Sequence, residues 1–132
     1  MGVAGIAGLS AAVESAVRSA AGATGVDFGF LLKTAKRESG FNPLAQAGTS
    51  SAAGLFQFLE QTWLATLKRH GATHGFARFS ALINEQNGRF SVSGEEARRA
   101  VMDLRYDPHA SAVMAAELAA DHAAYLRGRT GR

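Results

Sequence analysis

An all-α fold is predicted by three features of the sequence. Apolar residues recur at helical spacing in several stretches, and sustained alternation of apolar and polar residues is almost absent. Ala and Gly are abundant in a chain that is 47% apolar, which suits helices packed closely through few large side chains. The breaks between stretches carry Gly, Pro or a capping residue. At 132 residues the chain is read as a single domain over 1–132, since one domain takes ~100–200 residues.

Each element has its own signal. Ile6, Leu9, Val13 and Val17 share a face and predict a scaffold helix ending near Gly22 and Gly25. Asp27 is placed to cap a second helix, whose buried face is Phe28, Leu31, Leu32 and Ala35 and which Gly40 and Pro43 end. Glu38 continues the side of Leu31 and Ala35, so its carboxyl is expected to face the apolar stripe. Ala45 to Ala53 is a run of small residues, read as a tight surface loop beside a cleft, where a polymer could approach the backbone. Leu55, Phe58, Leu59, Thr62, Trp63 and Leu67 predict a third helix with Gln57 near its start, closed by Lys68, Arg69, His70 and Gly71.

Phe76, Phe79, Leu82 and Ile83 suggest a short fourth helix. Asn87-Gly88 is a strong turn signal with a brief strand beside it at Arg89-Phe90-Ser91-Val92, so 84–92 is the one extended segment expected. Ser93 with Glu96 reads as a capping box for a helix through about Leu104. Asp107 and Pro108 open the last helix as cap and first residue. Val113, Met114, Leu118 and Tyr125 form its apolar side, and the basic tail from Arg127 to Arg132 is expected to fray.

Charge and composition narrow the function. The net charge is +3, but Lys68, Arg69, Arg98, Arg99 and Arg105 are dispersed and read as solvated faces, not as a nucleic-acid surface. Without Cys there is neither disulfide nor thiol chemistry. No apolar run approaches the ~20 residues that span a bilayer. Met1 to Gly8 lacks the basic start and apolar core of a secretory signal. His70 and His74 have the spacing of metal ligands on a helix, but Gly71 interrupts it and no acidic third ligand lies nearby in sequence. No metal or cofactor site is read.

Glu38 is the candidate for chemistry. Burial favours a protonated carboxyl, as a general acid near neutral pH requires. The plainer alternative is a glutamate that caps the turn or pairs with Lys36 or Arg37. Most glycosidases use two carboxyls ~5–9.5 Å apart, yet Ser39 to Leu59 holds no acid at all. Glu60 looks like a surface residue, and Asp103, Asp107, Glu85, Glu95 and Glu96 read as capping or solvated groups. A lone acid suits a reaction in which the substrate carries its own nucleophile.

Glu38-Ser39-Gly40-Phe41-x-Pro, then Ser51-Ala52-Ala53-Gly54-Leu55-Phe56-Gln57-Phe58, then Thr62-Trp63, resembles the soluble lytic transglycosylase (SLT) domain of the lysozyme-like superfamily. The clear matches run from Ala35 to Leu64, with a weaker similarity over Leu104 to Tyr125. The resemblance implies a lysozyme-like helical fold with Glu38 as catalytic acid and Ser39 supporting it. Gly54, Leu55, Phe56 and Gln57 would lie in the motif that floors the sugar cleft. Tyr106, beside Asp107-Pro108, is a candidate for stacking on a sugar, with packing as its alternative.

The implied activity is cleavage of the β-1,4 bond between N-acetylmuramic acid and N-acetylglucosamine, leaving a 1,6-anhydro end, with no metal and no cofactor. A hydrolytic muramidase and a non-catalytic peptidoglycan-binding or assembly module are the alternatives. The family's third motif, an Ala-Tyr-Asn stretch beyond the long helix, is not matched, and Ala124-Tyr125-Leu126 does not replace it. A trimmed domain or a short form would account for this. The implied partner is the peptidoglycan strand in the periplasm or cell envelope, during wall turnover or in a secretion, flagellar or phage assembly. No nucleic acid and no membrane span are expected.

Overall fold

The computed structural model describes residues 8–129. Six helices and one hairpin follow in order: α1 (Ala11–Thr24), α2 (Phe28–Ser39), α3 (Glu60–His70), α4 (Ala77–Ser80), β1 (Ile83–Gln86), β2 (Arg89–Val92), α5 (Glu95–Asp103) and α6 (Pro108–Arg129). Short 3-10 turns follow α3 at Gly71–His74 and α5 at Leu104–Tyr106. This is the all-α, lysozyme-like class with a small antiparallel hairpin.

The helix ends follow local chemistry. Ser10 caps α1 by accepting from the Val13 amide at 3.1 Å, so α1 starts later than the Ile6 stripe predicts; Ile6 lies outside the described residues. Asp27 caps α2 through the Phe30 amide at 2.8 Å. Gly40 ends it in the left-handed region, φ 63°, with its amide on the Ala35 and Lys36 carbonyls. Asp107 caps α6 through the Ala110 amide at 2.9 Å, and Pro108 is its first residue.

The core gathers on Trp63. It is fully buried, its Nε1 donates to the Val101 carbonyl at 2.9 Å, and Phe58 meets it edge-on at 4.9 Å between ring centroids. Val13 and Val17 of α1, Leu31 and Leu32 of α2, Leu64 and Leu67 of α3, and Val113 and Met114 of α6 pack around it. Contact between α1 and α6 is the most extensive of any helix pair. The buried alanines on these two helices, Ala16, Ala20, Ala112 and Ala116, let the backbones approach.

Several expectations need correcting. The third helix begins at Glu60, not at Leu55, and Leu59 is its cap, half exposed. The fourth helix is a single turn, and Ile83 is the buried first residue of β1. Around Asn87-Gly88, with φ of 54° and 80°, Ile83 pairs with Val92 and Gln86 with Arg89. Two positive φ values match the twist of a hairpin. Gln61 of α3 holds this hairpin by both ends of its amide, at 2.8 Å to the Phe90 carbonyl and 3.0 Å to its amide.

Ser93 does not cap α5. Gly94 takes that position, and the Ser93 hydroxyl instead accepts from Asn84 Nδ2. Tyr125 is exposed on α6, off its buried side. The helix continues through Arg129, and 130–132 lie outside the described residues.

Candidate active site

Glu38 sits one residue before the end of α2, where three features fix the backbone. Gly40 turns the chain left-handed, Phe41 follows with φ 68° and is buried at 3% exposure, and Ser39 reaches across to the next segment. The Ser39 hydroxyl lies 2.7 Å from the Leu55 carbonyl and 3.1 Å from its own helix's Ala35 carbonyl, and accepts from the Asn42 amide at 3.2 Å. Its one proton goes to a carbonyl, so Ser39 ties the end of α2 to the 54–58 turn. No hydrogen bond joins it to the Glu38 carboxyl.

The small-residue loop is ordered by its backbone. Ala53 bridges both Gln46 and Phe58, and the Gly54 amide donates to the Ala45 carbonyl at 2.8 Å. Gly54 has φ +87°, and a Cβ there would stand 2.2 Å from the Arg105 carbonyl oxygen. Only glycine fits that contact. Gln57 is therefore on a turn, not on a helix: its φ is 52° and α3 starts three residues later. Its Nε2 donates to the Gly54 carbonyl at 2.9 Å and the Ala45 carbonyl at 3.2 Å. With both amide hydrogens engaged, Oε1 is what the side chain can offer a ligand, as an acceptor.

These pieces frame a groove of about 570 Å³, within the ~300–1,000 Å³ of ordinary ligand sites. One wall is α2, with Phe30, Thr34, Arg37 and Glu38; the floor is Phe56 to Leu59 with Thr62. The far wall is α6, with Ala115, Leu118, Ala119, His122, Ala123 and Leu126. Glu38, Phe56 and Gln57 thus meet on one groove. Ser39 and Gly54 stand outside the lining residues and shape the turn. Tyr106 is also outside the lining, its hydroxyl accepting from Gln46 Nε2 at 2.8 Å.

The expectation of a buried Glu38 is not met. Its side chain is 38% exposed at the rim, with Arg37 Nη2 3.6 Å from Oε2. A residue at the last turn of a helix that ends against an open groove points into that groove, although the residues one turn earlier face the core. Glu38 is the one carboxyl among the lining residues. Glu60 is held elsewhere, accepting from Arg98 at 2.6 Å.

Two contributions had escaped the sequence reading. The α6 wall is one; apolar periodicity singled out Leu118 on it, but not its alanines or His122. Arg105 is the other. It is buried, 8% exposed, and not part of a solvated face. Burial lowers its pKa from the ordinary arginine value, and the nearby charges of Tyr106, Glu60 and Asp103 partly restore it. His70 and His74 pair with carboxylates of α6, at 2.7 Å to Asp121 and 2.6 Å to Glu117. Among the described residues no group of three or more His, Cys, Asp or Glu is arranged to hold a metal ion. Nor is any described helix long and apolar enough to cross a membrane.

A lysozyme-like helical domain with a single carboxyl at the rim of an open groove is the class defined by this fold and site. Residues 15–131 match the family model of the transglycosylase SLT domain. The chain belongs to that family, and with it to the lysozyme-like domains that act on peptidoglycan.

Proposed function

We propose that the domain is a lytic transglycosylase that cleaves the N-acetylmuramic acid–β-1,4–N-acetylglucosamine bond with Glu38 as acid and then base. The observation that carries this reading is the lone carboxyl: Glu38 has no acidic partner on the groove. Hydrolysis by either two-carboxylate route needs a second group, ~5–9.5 Å away, to capture the sugar or activate water. A glycan lying in the groove would exclude water from the carboxyl. Glu38 would give its proton to the glycosidic oxygen as the C1–O bond breaks. The resulting carboxylate would then take the proton of the muramoyl C6 hydroxyl as that oxygen bonds to C1, closing the 1,6-anhydro ring and restoring the acid. Gln57 Oε1 would accept from a sugar hydroxyl or acetamido N–H across the floor. The setting proposed for this chemistry is the periplasm or cell envelope.

The test is digestion of purified sacculi with product masses read by mass spectrometry. Wild-type protein is expected to release anhydro-muropeptides, and Glu38→Gln to lower that release by a factor of ~10²–10⁴, the usual contribution of a general acid–base group. Products heavier by one water would assign a hydrolytic muramidase. Glycan binding without any release would assign a binding or assembly module.

A further inference from the structure

Arg105 is a buried cation that no carboxylate touches. Removing a guanidinium from water is costly unless its donors are paired, and here three of its five N–H groups go to main-chain carbonyls. Its Nη1 donates to the Ser51 carbonyl at 2.6 Å and the Phe58 carbonyl at 2.9 Å, and its Nε donates to the Met102 carbonyl at 2.9 Å. The first two carbonyls bracket the turn that carries Gln57. Between them the chain passes Gly54, which presses against the carbonyl of Arg105 itself. Its neighbour Tyr106 receives Gln46 from the start of the same loop. The 3-10 turn at Leu104–Tyr106 thus touches the 46–58 loop through two side chains and one backbone contact.

The loop needs an external hold. Gln57 is in the left-handed region without being glycine, a conformation that persists only where surroundings enforce it. The same loop meets the acid's helix through the 2.7 Å bond from Ser39 to the Leu55 carbonyl. We propose that Arg105 is a positioning residue for the reaction: by gripping Ser51 and Phe58 it sets the Gln57 turn and, through Leu55 and Ser39, the placement of that turn against Glu38. A lysine retains the charge but not the planar fork that serves several carbonyls at once. A methionine of similar length supplies neither.

The turnover part of this inference rests on the function proposed above, so its test has a second arm. In the full 132-residue chain, Arg105→Lys and Arg105→Met are compared with wild type for amide exchange and for turnover of sacculi, well below each variant's melting temperature. Arg105→Met is expected to lose ~10-fold or more of the protection of the Gln57 and Phe58 amides while α1 and α2 keep theirs, because opening is local. Its kcat per folded molecule is expected to fall ~10–100-fold with KM changed far less, as for a displaced site, and Arg105→Lys should recover part of both. Unchanged protection at 57–58, or variant turnover equal to wild type despite a lower melting temperature, overturns the proposal. If the wild type releases no product, the proposed function fails instead, and the exchange result alone decides whether Arg105 holds the turn.

Discussion

Gly54→Ala separates conformational strain from a steric clash, because Gly25 provides a matched control. Both glycines sit at similar dihedrals, φ +87° and +80°, but a Cβ at Gly25 meets nothing within 4 Å. At Gly54 it meets the Arg105 carbonyl oxygen at 2.2 Å and the carbonyl carbon at 3.0 Å. Those atoms are backbone, so no rotamer can relieve the contact. Left-handed backbone costs a non-glycine residue ~1–2 kcal/mol, and that is the whole expectation for Gly25→Ala. Forcing apart a packed contact adds ~1–3 kcal/mol, giving ~2–5 kcal/mol for Gly54→Ala. At about 3–6 °C per kcal/mol for a domain of this size, its melting temperature should fall by ~6–30 °C, against ~3–12 °C for the control. Thermal unfolding followed by circular dichroism measures both. If the two variants melt within a degree or two of each other, the contact between Gly54 and Arg105 is not what requires glycine.

Two other substitutions test neighbouring features. Ser39→Ala removes the 2.7 Å bond to the Leu55 carbonyl; it should cost ~1–2 kcal/mol in urea unfolding and lower sacculus turnover beyond any loss of folded protein. Ser111→Ala should act in the opposite direction. The Ser111 hydroxyl is fully buried without a hydrogen-bond partner among the described residues, so deleting it is expected to raise stability by ~1 kcal/mol, read as a higher urea midpoint.

What could be read in advance was written in local chemistry. Asp27 and Gly40 bound the Glu38 helix, Asp107-Pro108 opens the last one, and Asn87-Gly88 marks the hairpin turn, each through an interaction reaching only a few residues along the chain. The misses share the opposite character. Gln57 continued a helical apolar pattern, yet its left-handed backbone is enforced by contacts from Ala45 and Arg105, distant in sequence. Ile83 fitted a helix with Phe76 and Phe79, but pairing with Val92 decided for a strand. Ser93 had its Glu96, and lost the cap because Gly94 supplies a φ of 88° that turns the chain into α5. Arg105 looked like any surface cation, since nothing nearby in sequence announces the carbonyls it serves. For Glu38, periodicity gave the correct side of α2, but exposure depended on what lies beyond the helix end.

The helix α6 runs for 22 residues, ~33 Å at 1.5 Å per residue, burying Ala112, Val113 and Ala116 in the interior and lining the cleft with Ala115, Ala119 and Ala123. A wall that is also a structural beam cannot swing aside as a lid would. A sugar chain must enter from the open side, and along this wall the three alanines leave room between the larger Leu118, His122 and Leu126. Of the three alanine positions, Ala119 and Ala123 are the natural dials for an engineer who wants a narrower channel, since Ala115 also packs against the core.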